Sequence, residues 1–573
     1  MEKREELPRL WDSVPGFDFI EEVDLPELNS WFFDGTHSVP LLTPLYTWFW
    51  IRHCAFGSQY MAELFSAPRF KGFALRNVEG SDYIGMYIVR DEEEVKRRTE
   101  RFREALIPWI EDFDGIWSAQ KQELTSLYRR LLEVDLEKPT PIDLIHHLWD
   151  MISTHRRMWE IHFQGMYMSY AAFMACEDAL RPYGYTSETP EFQAMFRGFD
   201  NKVYQVDKRL CGLAKEAIER GIDGIIMDTP PERLMGRLEG SRDGKEWLAN
   251  LKAFLEEEGW RMVRMMDFNF PYWLEDPTQV IPPIRAFIKK GGAYDLDETR
   301  KRLSEERERA IRNVLGKVPE ADREFVEKLI RLGGYASSFS EEHDLYCELF
   351  CHAVMRRGFL GIGRYLARAG TIDSPEDIWF LNPDEIERVI FAPEFHKMQF
   401  IAERRKARWR YLNENWHDVK DKTHPPVFTT RSGIEEAVEK DLLPSADPII
   451  IKIVVGELPR VRPELKADIY GVTGSPGVAE GKARVIMTYG EIDEIRPGEI
   501  LVCPGTDPAW TPVFGIVKAV VTDRGGTLSH AAIIAREYGI PCLVNTFNGT
   551  AKVKTGQTIR VDATEGALYI LER

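Results

Sequence analysis

Cysteine is scarce and unpatterned. There are seven in 573 residues, an odd number with no spacing that would build a disulfide framework. Positive charge is also in short supply. The formal net charge is −18 at pH 7, which excludes a general binder of nucleic acid or of an anionic membrane surface, since either needs a basic face. No apolar run approaches the ~20 residues of a membrane span; "PLLTPLYTWFWI" is among the longest, and it contains proline. The opening "MEKREELPRL" lacks the apolar core of a secretory signal, and a reducing cytoplasm is the expected compartment. Gly-rich phosphate loops are missing before residue 470, and tryptophan almost disappears after it: of 15, only Trp510 lies beyond. That asymmetry separates a large aromatic part from a small plain one.

What is present divides into three kinds of text. Up to about residue 90 the chain is irregular and aromatic, and "FKGFALRNVEGSDYIGMYIV" predicts a β-hairpin with Glu79 and Gly80 near its turn. From about 92 to 420 it is mostly helical. "DEEEVKRRTERFREALIPWIEDF" places acidic residues first and basic ones later, as a helix dipole favours. "PTPIDLIHHLWDMISTHRRMWEIHFQGMYMSYAAFMACEDAL" keeps apolar residues at helical spacing over a long span. A Pro-rich, mixed stretch at 421–466 reads as linker. From 467 to 573, short β-type runs ("KARVIM", "EILVCPG", "AVVTDRG", "PCLVNT", "TIRVDA", "ALYILE") alternate with Gly and Pro turns around one clear helix near Ser529 to Tyr538. A shorter helix is expected at Phe514 to Val517. The expected architecture is therefore multidomain. A mainly α-helical domain at 1–420, with a small N-terminal β element, precedes a linker and a compact α/β domain at 467–573.

The helix near Ser529 begins with "GGTLSHAAII". Val520 and Val521 signal a buried strand, Gly525 and Gly526 break it, and Thr527 or Ser529 can cap the helix that follows. His530 then falls in the first turn, where free N–H groups and the dipole favour anions, phosphate above all. The same field disfavours imidazolium, so His530 is expected to be neutral and nucleophilic at pH 7. A neutral imidazole can accept a phosphoryl group and carry it covalently, backed by the turn and by the hydroxyls of Thr527 and Ser529.

A wider pattern surrounds this turn: Thr506-Asp507-Pro508, Trp510-Thr511-Pro512, a strand into Asp523, Gly525-Gly526, Ser529-His530-Ala531, Ala535-Arg536-Glu537 and Gly539-Ile540-Pro541, with "TGSPGVAEGKARV" upstream. It resembles the swivelling phosphohistidine domain of the phosphoenolpyruvate-utilising enzymes, over about 105 residues. The resemblance implies that His530 is the phosphorylated residue and that Gly525 and Gly526 shape its phosphate-binding turn. It also implies an ATP-dependent, dikinase-type phosphotransferase. Such enzymes load the histidine from an ATP-grasp domain, with Mg²⁺ or Mn²⁺ accompanying the nucleotide. No ATP-grasp text, Arg-Ser-Ser nucleotide motif or paired acidic magnesium ligands stand in this sequence, and no phosphoenolpyruvate barrel is expected. The expectation is a separate ATP-grasp partner subunit.

"WFFDGTHSVPLLTPL", "FRGFDNKVYQVDKRLCGLA", "SFSEEHDLYCE" and "RYLARAGTIDSPEDIWFLNPDEI" resemble the acceptor portion of phenylphosphate synthase and, more distantly, of rifampicin phosphotransferase. The first relative implies a phenolic acceptor and an aryl phosphate product. Another alcohol, such as an antibiotic or natural product, is the alternative; a non-enzymatic phosphorelay module is a third. For acceptor chemistry "SEEHDLYCELFCHAVMRR" offers a base, His343 beside Glu342, and cations, Arg356 and Arg357. On an α-helix Glu342, Tyr346 and Phe350 would lie near one face, and His343, Cys347 and Cys351 on a neighbouring one. The latter three span about 12 Å along one straight helix, too far for one tetrahedral ion, so no metal site is expected. His37 in a loop amid aromatics and Arg76 in "FALRNVEG" are further candidates for substrate binding. His146, His147, His155 and His162 read as packing or surface residues of the long helix.

Overall fold

A computed structural model describes residues 31–33, 40–78, 81–262, 264, 266–291, 295–423 and 447–572. It holds two compact units, each drawn from three stretches of chain. One comprises Met1–Gly165, Met265–Phe270 and Tyr346–Ile450, the other Met166–Arg264, Pro271–Leu345 and Ile451–Arg573. The fold class is the expected one, mainly helical with a small N-terminal sheet and a C-terminal α/β part. Among the described residues no helix is long and apolar enough to cross a membrane.

In the first unit the hairpin forms from strands Phe70–Val78 and Ser81–Ile88; its turn residues 79–80 lie outside the described residues. Strand Trp31–Phe33 adds to its far side, giving a three-stranded antiparallel sheet with Ser81–Ile88 in the middle. Helix Glu92–Leu132 starts where the acidic run predicts. Asp91 accepts from the N–H groups of Glu93 (2.9 Å) and Glu94 (3.1 Å), and three glutamates occupy the first turn. Arg98 of this helix is buried. Its guanidinium donates to the carbonyls of Ala62 (2.8 Å), Ala67 (2.7 Å) and Phe70 (3.2 Å), which satisfies the end of helix Ala55–Leu64 and the start of the sheet.

The second unit combines helices Lys202–Glu219, Arg242–Glu258, Ile281–Lys290, Leu296–Leu315 and Arg323–His343 with the α/β part. The helices share an apolar core around Trp247, Phe254 and Ile284. The α/β part is one eight-stranded sheet whose centre is parallel: Val478–Val485, Ile500–Cys503, Ala519–Thr522 and Cys542–Val544 in that order. Both inner strands are buried at every position, which is why "ILVC" and "AVVT" read as continuous apolar runs. Helix His530–Tyr538 makes the crossover from Ala519–Thr522 to Cys542–Val544. The short helix expected at Phe514 to Val517 forms earlier, at Thr511–Phe514. Of the expected linker, Pro448–Val454 is a helix, and residues 424–446 lie outside the described residues.

Close approach between helices in the first unit depends on glycine. A Cβ at Gly57 would stand 2.6 Å from the Trp159 carbonyl oxygen, so Gly57→Ala must push two helices apart. It is expected to cost about 1–3 kcal/mol, read as a lower thermal midpoint by circular dichroism.

Candidate functional site

Strand Ala519–Thr522 ends in a fixed turn. The Asp523 carboxylate accepts from Thr546 Oγ1 (3.1 Å), Thr550 N–H (3.1 Å) and the Thr550 hydroxyl. Gly525 follows at φ +111°, where a Cβ would meet Ser529 Oγ at 2.7 Å, so only glycine fits. Ser529 is the N-cap residue, but its hydroxyl does not cap the helix as expected. The turn brings the Gly526 carbonyl to it, and Ser529 Oγ donates there at 2.8 Å. Thr527 gives both its N–H (2.8 Å) and its hydroxyl (2.5 Å) to the Glu457 carboxylate. Arg536, fully buried one and a half turns into the helix, returns its Nη2 to the Thr527 carbonyl at 2.5 Å and its Nη1 to the Gly474 carbonyl at 3.3 Å. Burial lowers its pKa to about 10.

His530 opens the helix and is itself buried. Its Nδ1 stands 3.0 Å from Oε2 of Glu341, a carboxylate with no exposure at all. An ionised carboxylate only accepts, so Nδ1 carries the proton and Nε2 keeps its lone pair in the neutral ring. Nε2 faces Thr511 Oγ1 at 3.5 Å, whose own proton is given to the Pro508 carbonyl at 2.9 Å. The helix start is expected to disfavour the charged ring, and the shift runs the other way. Burial would depress its pKa, but the Glu341 charge and hydrogen bond, helped by Asp507 and Asp344, more than offset that and leave it raised.

The same helix carries two further buried polar contacts. Glu537 accepts from the Gly198 N–H at 2.8 Å, and the Tyr538 hydroxyl donates to Asp207 at 2.9 Å. Burial pushes both carboxylates up to about 7. A cleft lined by Asp207, Arg300, Thr511, Glu537 and Tyr538 opens on the Thr511 side.

The other sequence candidates are placed as follows. Glu342, next to Glu341, accepts from the Lys202 N–H at 3.3 Å. His343 is engaged locally: Nδ1 lies 3.1 Å from the Phe339 carbonyl, Nε2 3.0 Å from Asp344 Oδ1, and the ring stacks on Phe339 at 4.9 Å. Neither Glu342 nor His343 is the group that meets His530. The α-helical faces expected from Glu342 onward also do not hold, because Asp344–Leu349 is π-helical and its wider turn changes which residues align. Arg356 donates to the Phe268 carbonyl at 3.1 Å with Trp379 beneath it. Arg357 reaches the carbonyls of Leu131 (3.4 Å) and Val134 (3.3 Å). Arg76 is half-buried on strand Phe70–Val78 opposite Tyr83. His37 lies outside the described residues. Among the described residues no three His, Cys, Asp or Glu side chains assemble to hold a metal ion.

Of the histidines on the long helix, His147, His155 and His162 are buried, and His146 is exposed. His155 meets a residue not singled out from sequence, His53, at 2.9 Å between Nδ1 atoms, and stacks near His352 at 5.5 Å. Burial holds His53 and His155 well below the usual histidine range, His53 further depressed by Arg156 and Arg52.

Residues 495–566, which span His530, match the model of the PEP-utilising enzyme mobile domain, and residues 157–337 match the rifampicin phosphotransferase fourth domain. His530 thus lies in a segment that matches the mobile domain of the PEP-utilising enzymes. The chain is 31% identical over 390 residues to an uncharacterized phosphotransferase of Bacillus subtilis, covering 68% of this chain and 44% of the relative. It is 31% identical over 326 residues to the rifampicin phosphotransferase of the same organism, covering 55% of this chain and 34% of the relative. A chondramide synthase of Chondromyces crocatus is 28% identical along 100% of this chain, which covers 14% of that protein. The chain thus spans less than half the length of each of these relatives.

Two outcomes check the electrostatics. Glu341→Gln removes the charge that raises His530, so the His530 titration followed by NMR should move to lower pH. For Glu537 the folded value of about 7 exceeds the ordinary 4.5. Between those values the folded chain holds a proton the unfolded chain has lost, so stability falls as pH rises through the window. Glu537→Gln should flatten that part of the thermal midpoint's pH dependence.

Proposed function

We propose that this chain is the carrier and acceptor portion of an ATP-dependent phosphotransferase, with His530 as the covalent phosphoryl carrier. The observation that carries the reading is the Glu341 contact at Nδ1, which leaves Nε2 as the reacting atom. In loading, the Nε2 lone pair attacks phosphorus. The Nε2–P bond forms as the donor's P–O bond breaks, and the ring that results is cationic with Nδ1–H in place. In discharge, an acceptor hydroxyl attacks phosphorus, the N–P bond breaks, and the ring leaves neutral with Nδ1–H in place. The acceptor's proton needs a base. Asp207, in the cleft beside Thr511 and pushed up to about 7, is suited to take it near neutrality.

We assign the loading site to an ATP-grasp protein. Mg²⁺ or Mn²⁺ would accompany the nucleotide there and neutralise its phosphates. Glu342, His343, Arg356 and Arg357 remain proposed only as residues that shape the acceptor side, with His37 and Arg76 as substrate contacts still to be tested.

The acceptor is a small hydroxyl compound. A phenol, giving an aryl phosphate, is one class. A larger alcohol of the antibiotic or natural-product kind is the other, favoured by the rifampicin phosphotransferase match over residues 157–337. Incubation with the ATP-grasp protein, ATP and a panel spanning both classes distinguishes them. The wild type is expected to yield a phosphorylated acceptor, His530→Ala none, and Glu341→Gln a turnover lower by about 10²-fold or more. The chain alone should take no label from γ-labelled ATP. Product formed by His530→Ala sinks the reading, and loading of His530 with no product from any acceptor favours a phosphorelay module.

A further inference from the structure

Phe395 and Phe400 are the most exposed large apolar side chains among the described residues, at 80% and 73%, and Phe391 (60%) and Tyr411 (52%) share the same stretch of chain. Phe391 ends helix Pro383–Ile390, Phe395 closes the short turn Pro393–Phe395, and Phe400 and Tyr411 ride on helix Gln399–Thr423. The inner side of that last helix is fixed by its own unit. Trp409 Nε1 donates to the Leu41 carbonyl at 2.8 Å, and Asn413 Oδ1 accepts the Leu41 N–H at 2.8 Å. Arg405 grips the Glu385 carboxylate at 2.6 and 2.9 Å, and Lys406 Nζ meets Asp377 at 3.0 Å. Phe400, Arg404, Ala407 and Tyr411, at steps of four, three and four, are left on the outer side, and all four are exposed. The four rings offer on the order of 500 Å² of apolar area, against the ~800 Å² that each partner brings to a standard interface. Between His396 and Tyr411 stand six cations and one acid, Glu403, in a chain whose net charge is −18. Arg405 and Lys406 serve the inner contacts. Lys397, Arg404, Arg408 and Arg410 are exposed, and the Arg408 guanidinium lies 5.8 Å from the Tyr411 ring.

Exposed aromatic and arginine side chains are the types that dominate protein interfaces, and the cationic rim calls for an acidic surface to cover it. A two-fold pairing with a second copy would instead crowd the same cations from both chains into one interface. We propose that residues 391–397 and the outer face of helix Gln399–Thr423 are the docking surface for the ATP-grasp protein, which meets them with an acidic, apolar surface of its own. The proposal rests on the reading of His530 as a carrier loaded by a second chain. The surface belongs to the compact unit that does not contain His530. A partner held there keeps its loading site at high local concentration through successive cycles, and its grip makes no use of the helix that carries the reacting histidine.

The test is the loading of His530 in the full chain from γ-labelled ATP at rising concentrations of the ATP-grasp protein. A triple variant, Phe400→Ser with Arg404→Glu and Arg408→Glu, should need about tenfold more of that protein for half-maximal rate and still reach the wild-type maximum. Its thermal midpoint should stay put, because all three side chains are exposed. Phe395→Ser, outside the helix, should act in the same direction by a few-fold. Potassium phosphoramidate reports the carrier without the partner. Its P–N bond breaks, its nitrogen leaves as ammonia, and an N–P bond forms on histidine; it should label His530 equally in all three proteins. An unchanged dependence on the ATP-grasp protein overturns the docking surface and leaves the carrier reading standing. The surface is equally overturned if wild type and triple variant load alike while only the wild type sediments as a dimer or binds phosphatidylserine vesicles. No transfer from ATP to wild-type His530 at any concentration of the ATP-grasp protein, with phosphoramidate labelling intact, overturns loading by a second chain and the docking surface together.

Discussion

The buried hydrogen bond between His530 and Glu341 joins residues 189 positions apart and sets the chemistry of everything around it. Burial of the ring is the strongest influence against its charge, and the helix start adds to it by about 0.3–1 kcal/mol at an ordinary exposed terminus. A charge-assisted bond to a carboxylate contributes about 1.5–3 kcal/mol, and Glu341 is wholly desolvated. The carboxylate wins, and the histidine's pKa moves up. The same bond fixes the ring, since only Nδ1–H can serve an ionised acceptor. Ring orientation, tautomer and the identity of the reacting nitrogen all follow from one contact.

The rest of helix His530–Tyr538 extends that logic. His530, Glu537 and Tyr538 stand at i, i+7 and i+8, one side of the helix, and each meets a polar group of the helical part of the same unit: Glu341, the Gly198 N–H and Asp207. An apolar seam would hold regardless of charge. These contacts are sensitive to it, because two of the carboxylates have pKa values of about 7. Arg536 meanwhile points inward and fastens the turn to its own domain through Thr527 and Gly474. The helix therefore has one side that fixes His530 within the α/β part and another whose polar contacts stand beside an apolar seam, where Val203 and Ala286 share a core with Ile534.

Much of this was legible in the residues. "AVVT", the two glycines and the helix after Ser529 reveal a strand, turn and helix because buried parallel strands read as unbroken apolar runs and φ +111° at Gly525 admits only glycine. The partner of His530 was harder. "SEEHD" offers adjacent carboxylates about 100° apart on a helix, and their spacing alone does not say which one turns inward. The signal was there in the small residues behind it: Gly334, Ser337 and Glu341 form a stripe at steps of three and four, and all are buried. The faces drawn from Glu342 onward failed because a π-helical stretch such as Asp344–Leu349 leaves no mark in hydrophobic periodicity. The Arg356 and Arg357 guanidinium groups read equally well as phosphate ligands or as partners for backbone carbonyls, and only the fold reveals the carbonyls of Phe268, Leu131 and Val134.

On the carrier reading, the Glu341 contact acts differently on the two half-reactions. A raised pKa keeps Nε2 protonated to higher pH, and a protonated Nε2 cannot attack phosphorus, so Glu341 hinders loading. Once the phosphoryl group is on Nε2, the same carboxylate favours the ring with Nδ1–H, and that ring leaves as neutral imidazole when the N–P bond breaks. Glu341 therefore promotes discharge. One contact cannot serve both half-reactions equally well near neutrality. The polar contacts of the His530 helix with Glu341, the Gly198 N–H and Asp207 therefore suit the discharge step.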